Sequence, residues 1–358
     1  MANITFEGLS KHFGQVKAVD GISVDIQDGE FICLLGPSGC GKTTTLRLMA
    51  GLEQPTHGRI LINGKDVTDA KPKERDIGMV FQDYALFPHM TISDNISYPL
   101  KVRGASVAER KARADEVARS LQIQHLLERR PAQISGGQQQ RTSVARAVVH
   151  KPQVFLFDEP LSNLDAKLRL EARSFLKHLQ SELGVTSLYV THDQAEAMAL
   201  ADRIAVMDSG KIVQFAPPLT VYHQPATEFV ANFVGSPPMN LLPVTLQDGY
   251  LRSDIVDLPV GHLAARLTGV RDGAQLKLGV RPEHLELGAR ENCAVFRGPL
   301  YAVEPLGPES LVIMRNNETL ITARLFGDVL PDVAGEVIVS CEPEHLHLFG
   351  EDGRRLDG

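Results

Sequence analysis

No run of about 18 apolar residues occurs in this 358-residue chain, so no helix of it is expected to cross a membrane. The opening stretch Met1-Ala2-Asn3-Ile4-Thr5-Phe6-Glu7 lacks a basic segment followed by an apolar one, so no secretory leader is expected. The four cysteines, Cys33, Cys40, Cys293 and Cys341, show no C-x-x-C spacing. They read as free thiols in a reducing compartment, neither a zinc site nor a disulfide framework. Positive charge is also short. Against 44 Asp and Glu stand 37 Lys and Arg, a formal net charge of −7, which argues against a nucleic-acid partner held by bulk attraction. No internal repeat or low-complexity segment is visible. The length suits two globular domains with a sizeable core.

What is present is organised around Gly36-Pro37-Ser38-Gly39-Cys40-Gly41-Lys42-Thr43, a match to G-x-x-x-x-G-K-[ST]. Phe31–Leu35 before it reads as a buried parallel strand, and Thr44–Ala50 after it as a helix. That context is the one a phosphate-binding loop requires. The glycines let backbone N–H groups turn toward phosphate oxygens. Lys42 adds a positive charge for the β- and γ-phosphates, and the Thr43 hydroxyl suits Mg²⁺. The N-terminal dipole of the helix behind the loop also favours the phosphates.

Residues 3–30 read as antiparallel strands, with a turn at Asp28-Gly29. The isolated aromatic Phe13 fits either a packing role or a stacking one. Gly58–Lys65 reads as a strand running into an Asn63-Gly64 hairpin turn. Ile77–Phe81 is an apolar strand ending at Gln82. Residues 92–150 turn helical, with a capping box at Ser106–Glu109. Ser135-Gly136-Gly137-Gln138 opens another helix. Ser162–Asp165 precedes a helix to about Leu183. Ser187–Thr191 is a strand ending at His192, and Asp193 and Glu196 read as a helix cap and its N3 partner. Residues 204–214 form a hairpin. Strands alternating with helices predict an α/β domain with a parallel core sheet.

Val154-Phe155-Leu156-Phe157-Asp158-Glu159 is an apolar strand ending in two acids. It places Asp158 at the carboxyl end, where open α/β sheets bind ligands, and there Asp158 suits Mg²⁺. Strand alternation turns Glu159 elsewhere, toward an attacking water and away from the metal. Beyond Gly235-Ser236-Pro237-Pro238 the pattern changes to short alternating runs such as Gln275–Val280, Ser310–Met314 and Glu336–Ser340. These predict an all-β domain, a small barrel. Its histidines, His262, His284, His345 and His347, read as scattered, with structural or surface roles.

Gly36–Thr43, Gln82, Ser135–Gln138, Asp158-Glu159, Ser162–Asp165 and His192 fall in the order of the ATP-binding-cassette (ABC) ATPases, which the chain resembles over about residues 3–235. The family usually has Leu where this chain has Ile134. The resemblance implies a phosphate-loop NTPase fold with an antiparallel β-subdomain and a helical subdomain at about 90–152. It spans 1–235 and is followed by an OB-like regulatory β-domain over 236–358. The implied cofactors are ATP and Mg²⁺. Phe13, Gly36 to Thr43, Thr44, Ser135 to Gln138 and Asp165 would contact nucleotide. Glu159 would act as base, His192 would reach the γ-phosphate, and Gln82 would sense Mg²⁺ and water. Two copies would pack head to tail, each Ser135-Gly136-Gly137 facing the other's γ-phosphate.

Gly235–Leu242 and Leu278–Leu285 resemble the regulatory domain of importer ATPases of the maltose and glycerol-3-phosphate type. Implied partners are a second copy, two integral-membrane permease subunits and, indirectly, a periplasmic or lipid-anchored solute-binding protein. The implied place is the cytoplasmic face of the inner membrane. Ala85, Leu86, Phe87 and Met90 suit either a local core or a groove for a permease helix. A carbohydrate or sugar derivative is the expected solute. Polyamines, sulfate or sulfonate, and iron are the alternatives. A non-transport ABC ATPase would be expected to carry coiled coils, zinc motifs or basic arms, which are not visible.

Overall fold

A computed structural model describes residues 2–327 and 335–356, apart from the His262 side chain. The chain divides into two compact units, Met1–Pro218 and Leu219–Gly358.

In the first unit, β1 (Ile4–Phe13) and β2 (Val16–Ile26) form an antiparallel hairpin. β3 (Phe31–Leu35) runs into α1 (Lys42–Ala50) through the glycine-rich loop. β4 (His57–Ile62) and β5 (Lys65–Asp66) meet at Asn63-Gly64, whose φ values of 51° and 72° are those of a type I′ turn. These strands make a four-stranded sheet in the order β2-β1-β4-β5. β6 (Ile77–Val80) precedes three helices: α2 (Ile92–Val102), α3 (Val107–Ser120) and α4 (Gly136–Val148). Ser106 and Ser135 cap α3 and α4, each in a reciprocal box with the Glu or Gln three residues on. β7 (Val154–Asp158), α5 (Ala166–Leu183), β8 (Thr186–Thr191), α6 (Gln194–Leu200), β9 (Arg203–Asp208) and β10 (Lys211–Ala216) complete the unit.

The second sheet has the order β10-β9-β3-β8-β7-β6, parallel except for β10 at its edge. All five residues of β3 and all six of β8 are buried. A parallel sheet covered on both faces produces that pattern, which is why these segments read as unbroken apolar runs. Each fully buried Leu, Ile or Phe contributes roughly 1.5–3 kcal/mol, so the strand ends are rigid mounts. The pairing also aligns them. Leu35 pairs with Thr191, Asp158 with Val190, and Val80 with Phe157. The chain segments that follow β3, β6, β7 and β8 therefore leave the sheet along one edge.

The second unit opens with α7 (Pro218–His223) and α8 (Glu228–Phe233). It continues with β11 (Asn240–Gln247), β12 (Tyr250–Arg252), β13 (Asp257–Pro259), β14 (Gln275–Val280) and β15 (Glu286–Leu287). β16 (Ala294–Pro305), β17 (Glu309–Asn316), β18 (Thr319–Phe326), β19 (Glu336–Cys341) and β20 (Leu346–Phe349) end it. The strands form two five-stranded sheets, β13-β12-β11-β14-β20 and β15-β19-β16-β17-β18. Leu278 and Leu348 from one, and Phe296, Val312 and Ile321 from the other, share one buried core. Arg281 is buried beside it. Its guanidinium donates to the carbonyls of Tyr222 (2.7 Å), Val234 and Ala231 (3.3 Å) and lies 4.0 Å from the Tyr222 ring centre. One cation thus satisfies carbonyls from α7 and from the end of α8, which ties 219–235 to the β-structure that follows.

Candidate functional site

The glycine-rich loop is shaped by two close approaches. A Cβ on Gly36 would strike the Met207 carbonyl, and one on Gly41 the Ala18 carbonyl, with Gly41 also at φ 106°. Only glycine fits both positions. Lys42 is 5% exposed, and its ammonium donates to the loop's own Gly36 and Pro37 carbonyls at 2.7 and 2.9 Å. The charge is held at the loop, on carbonyl dipoles weaker than a phosphate. Cys40 Sγ lies 3.7 Å from the same ammonium. Burial pushes that thiol's pKa up, so it is no ready nucleophile.

At the sheet edge the Thr43 hydroxyl meets a carboxylate oxygen of Asp158 at 3.4 Å. Burial, then the neighbouring Glu159 charge, raises the Asp158 pKa above the usual carboxylate range. A hydroxyl beside a carboxylate strained toward neutrality is an oxygen donor set that a small divalent cation would relieve. Glu159 does point away from this pair, though not by strand alternation. β7 ends at Asp158, and Glu159 takes a left-handed conformation with φ 46°. Its backbone N–H bonds the Val190 carbonyl, and its carboxylate lies 3.0 Å from His192 Nδ1. The His192 ring is otherwise exposed.

The turn carrying His192 is held by a network that its sequence pattern only half suggests. Asp193 caps α6 as expected, accepting from the Glu196 N–H. Glu196 does not return the bond. Its side chain points inward and accepts from the Tyr189 and Thr191 hydroxyls at 2.8 and 2.7 Å. Burial raises its pKa, against the lowering effect of those two bonds. The folded chain therefore holds this proton more tightly than the unfolded one. The resulting stability is fully present below the unfolded carboxyl pKa of about 4.3 and falls as pH rises through the folded value. Glu196→Gln should flatten that decline, which begins above the unfolded carboxyl pKa of about 4.3, in urea unfolding followed against pH. Glu196→Ala, which strands two hydroxyls, should cost about 1–3 kcal/mol for each.

Gln82 follows β6 onto the same edge, exposed, with its carbonyl accepting from Asn163 Nδ2 at 2.9 Å. The loop after it is fastened to the helices. Tyr84 and Ala85 have φ of 62° and 48°, and their carbonyls accept from Arg146 at 2.7 and 2.6 Å. Ser143 Oγ also bonds the Tyr84 carbonyl, at 3.0 Å. Asn95, fully buried, donates to the Phe87 and Thr91 carbonyls and accepts from the Phe87 N–H. Sequence reasoning missed Asn95, Ser143 and Arg146, which are polar positions on buried helix faces. Leu86, Phe87 and Met90 are half-buried and Ala85 exposed.

Ser135 caps α4 and so sets Gly136, Gly137 and Gln138 in its first turn. Among the described residues, no hydrogen bond or ion pair links Ser135–Gln138 to Gly36–Thr43. Asp165 caps α5, accepting from the Leu168 N–H at 2.9 Å. Phe13 sits at the tip of the β1–β2 hairpin, 49% exposed, with Lys11 Nζ 4.8 Å from its ring centre. That is not a core position. Ala18, on the same hairpin, is the residue that crowds Gly41.

The chain is 46% identical over 353 residues to the sulfoquinovosyl glycerol transport ATP-binding protein SmoE of Agrobacterium fabrum, covering 98% of both chains. It belongs to the ABC transporter ATPases. A family model for the ABC transporter matches residues 19–162, one for the MalK OB fold domain 235–285, and one for the TOBE domain 278–349. This ABC ATPase is also 45% identical to the sn-glycerol-3-phosphate import ATP-binding protein UgpC of Cupriavidus pinatubonensis, over the whole of both chains. It is 45% identical to the maltose/maltodextrin import ATP-binding protein MalK of Yersinia pestis bv. Antiqua, covering 99% of this chain and 97% of that one. Among solved structures, the ADP- and Pi-bound dimer of the ATP-binding cassette MJ0796 superposes with a TM-score of 0.54 at 34% identity, over 60% of this chain and 98% of that one. The ABC ATPase binds and hydrolyses ATP as the energy-supplying subunit of an importer. Among the described residues, no helix is long and apolar enough to cross a membrane.

Proposed function

We propose that this ATPase closes as a head-to-tail pair around two ATP molecules and couples closure and hydrolysis to uptake of a carbohydrate or sugar derivative. The observation that carries the reading is the arrangement along one sheet edge: Lys42, the Thr43–Asp158 pair and the Glu159–His192 pair. The Ser135–Gln138 helix start stands apart from its own loop. A site whose anion-binding helix end has, among the described residues, no hydrogen bond or ion pair to its own phosphate loop suits completion by a second copy.

In this reading residues 1–235 are the nucleotide-binding domain, with the helical subdomain at about 90–152, and 236–358 the regulatory one. The loop N–H groups of Gly36 to Thr43 and the Lys42 ammonium hold the phosphates, with Thr44 in the first turn of α1 behind them. Phe13 offers its exposed face to adenine. Thr43 and Asp158 would hold Mg²⁺, with Gln82 beside them, and the ion when bound neutralises charge on the β- and γ-phosphate oxygens. Glu159 takes the proton of the attacking water. His192, through Nδ1, fixes the Glu159 carboxylate and leaves Nε2 for the γ-phosphate. Ser135, Gly136, Gly137, Gln138 and Asp165 serve the partner's nucleotide.

Two membrane-embedded permease subunits supply the pathway, and the loop 85–90 is their docking surface. The ATPase then lies on the cytoplasmic face of the membrane, and an external binding protein delivers the solute. Whole-length similarity to transport proteins for sulfoquinovosyl glycerol, sn-glycerol-3-phosphate and maltodextrin supports a hydroxyl-rich solute over a polyamine, sulfate or iron. The test is purification of the tagged chain from detergent-solubilised membranes. Two integral-membrane proteins should co-purify, and a binding protein recovered with them should gain thermal stability with a sugar or sugar derivative. Recovery of the chain free of any membrane protein would overturn the transport reading.

A further inference from the structure

The second unit gathers chemistry that ATP turnover does not use. Pro-Glu-His occurs twice in it, at Pro282–His284 after β14 and at Pro343–His345 after β19, each as a short 3-10 turn. Their histidines, 61 residues apart, read as scattered in the sequence. The structure stacks them, with ring centres 3.9 Å apart and planes 26° apart. That contact fixes the plane of the half-buried His345 ring. Beside it stand the Glu342 and Glu344 carboxylates, and the donor atoms of these three residues lie within 4.8 Å of one another.

Arg290 pairs with Glu286, and Arg266, whose guanidinium lines the same cavity as Glu342 and Glu344, donates to the Leu346 carbonyl at 2.6 Å. Among the described residues, no Lys or Arg pairs with Glu342 or Glu344. His345 Nε2 lies 3.7 Å from Glu344 Oε1, and two carboxylates beside one oriented imidazole are a donor set that attracts a cation. Glu342 and Glu344 line a cavity of about 490 Å³ with Arg266 and Cys293, and Glu342 and His345 line one of about 140 Å³ with His284, Arg290 and Cys293.

We infer that Glu342, Glu344 and His345 form a binding site for a divalent transition cation of the Zn²⁺ class. One ring nitrogen and two carboxylate oxygens are three ligands, and the fourth position faces the cavities. A mixed nitrogen–oxygen set suits Zn²⁺ better than Mg²⁺ or Ca²⁺, which take oxygen alone. Tetrahedral bonds of 2.0–2.2 Å need donors about 3.3–3.5 Å apart. Both glutamates are exposed, so rotation of their side chains closes the remaining gap of about 1 Å without moving the backbone. The three ligands come from four consecutive residues, so the ion fixes the turn joining β19 to β20. That gives the β-unit an input separate from nucleotide.

The test uses the full chain, stripped with chelator and free of nucleotide. Titration with ZnCl₂ against a chromogenic chelator in excess Mg²⁺ should find one tight site per chain. His345→Ala and the double variant Glu342→Gln/Glu344→Gln should each weaken it at least about 10-fold. The double variant changes only exposed groups, so its metal-free unfolding midpoint and its Mg-ATP turnover should match those of the unaltered chain. Cobalt(II) at the site should give a spectrum of nitrogen and oxygen donors. No zinc retention, or retention unchanged in both variants, would overturn the site. A thiolate-to-cobalt band that disappears in Cys293→Ser would overturn the ligand set.

Discussion

Glu159→Gln should bind ATP with little change and hydrolyse it about 10²–10⁴-fold more slowly. The amide keeps the size of the carboxylate and keeps a partner for His192 Nδ1, now 3.0 Å from Glu159. The backbone N–H that anchors residue 159 to Val190 is untouched. What is lost is the capacity to take a proton from water. Binding and hydrolysis should therefore separate cleanly, and the protein should accumulate in its closed, ATP-bound form. Gel filtration with Mg-ATP should show a dimer that the unaltered chain forms only transiently. A monomer with full turnover would refute both the base and the paired site.

Lys42→Ala should weaken ATP binding by roughly 10–100-fold and abolish measurable turnover. Charge-assisted hydrogen bonds are each worth about 1.5–3 kcal/mol, and this ammonium has no substitute in the loop. Its donors reach the Gly36 and Pro37 carbonyls, which hold the charge at the loop. The variant frees two carbonyls in a loop whose path is set by Gly36 and Gly41. Its unfolding midpoint should move little. Titration with a fluorescent ATP analogue reads the affinity, and an unchanged dissociation constant would remove Lys42 from the phosphate site.

Much of this was legible in the sequence because the relevant physics is local. Buried parallel strands are apolar throughout, so β3, β7 and β8 stand out. Glycines at 36 and 41 and the capping box at Ser106–Glu109 announce the loop and a helix start, whereas the caps at Ser135 and Asp165 are seen only in the fold. The site's finer geometry depends on non-local contacts. Glu159 was expected to face away by strand alternation, but the strand stops one residue earlier and a left-handed turn does the work. Asp193 reads as a cap, yet nothing in its spacing says that Glu196 turns inward to two hydroxyls. Asn95, Ser143 and Arg146 look like ordinary helix residues until the carbonyls of Tyr84, Ala85 and Phe87 are seen opposite them. The His284–His345 stack joins positions too distant in sequence for any periodicity to relate.

The fastening of the Tyr84-Ala85 bend to Arg146 and Ser143 couples this loop to α4. Residues 84 and 85 are bonded to the same helix that begins at Ser135-Gly136-Gly137. The sheet side is joined to the same helix: Asn163 donates to the Gln82 carbonyl, and residues 149–153 lead from α4 back into β7, where the Gln153 N–H bonds the Asp76 carbonyl. A displacement of the loop should therefore carry α4 and, with it, the helix start at Ser135.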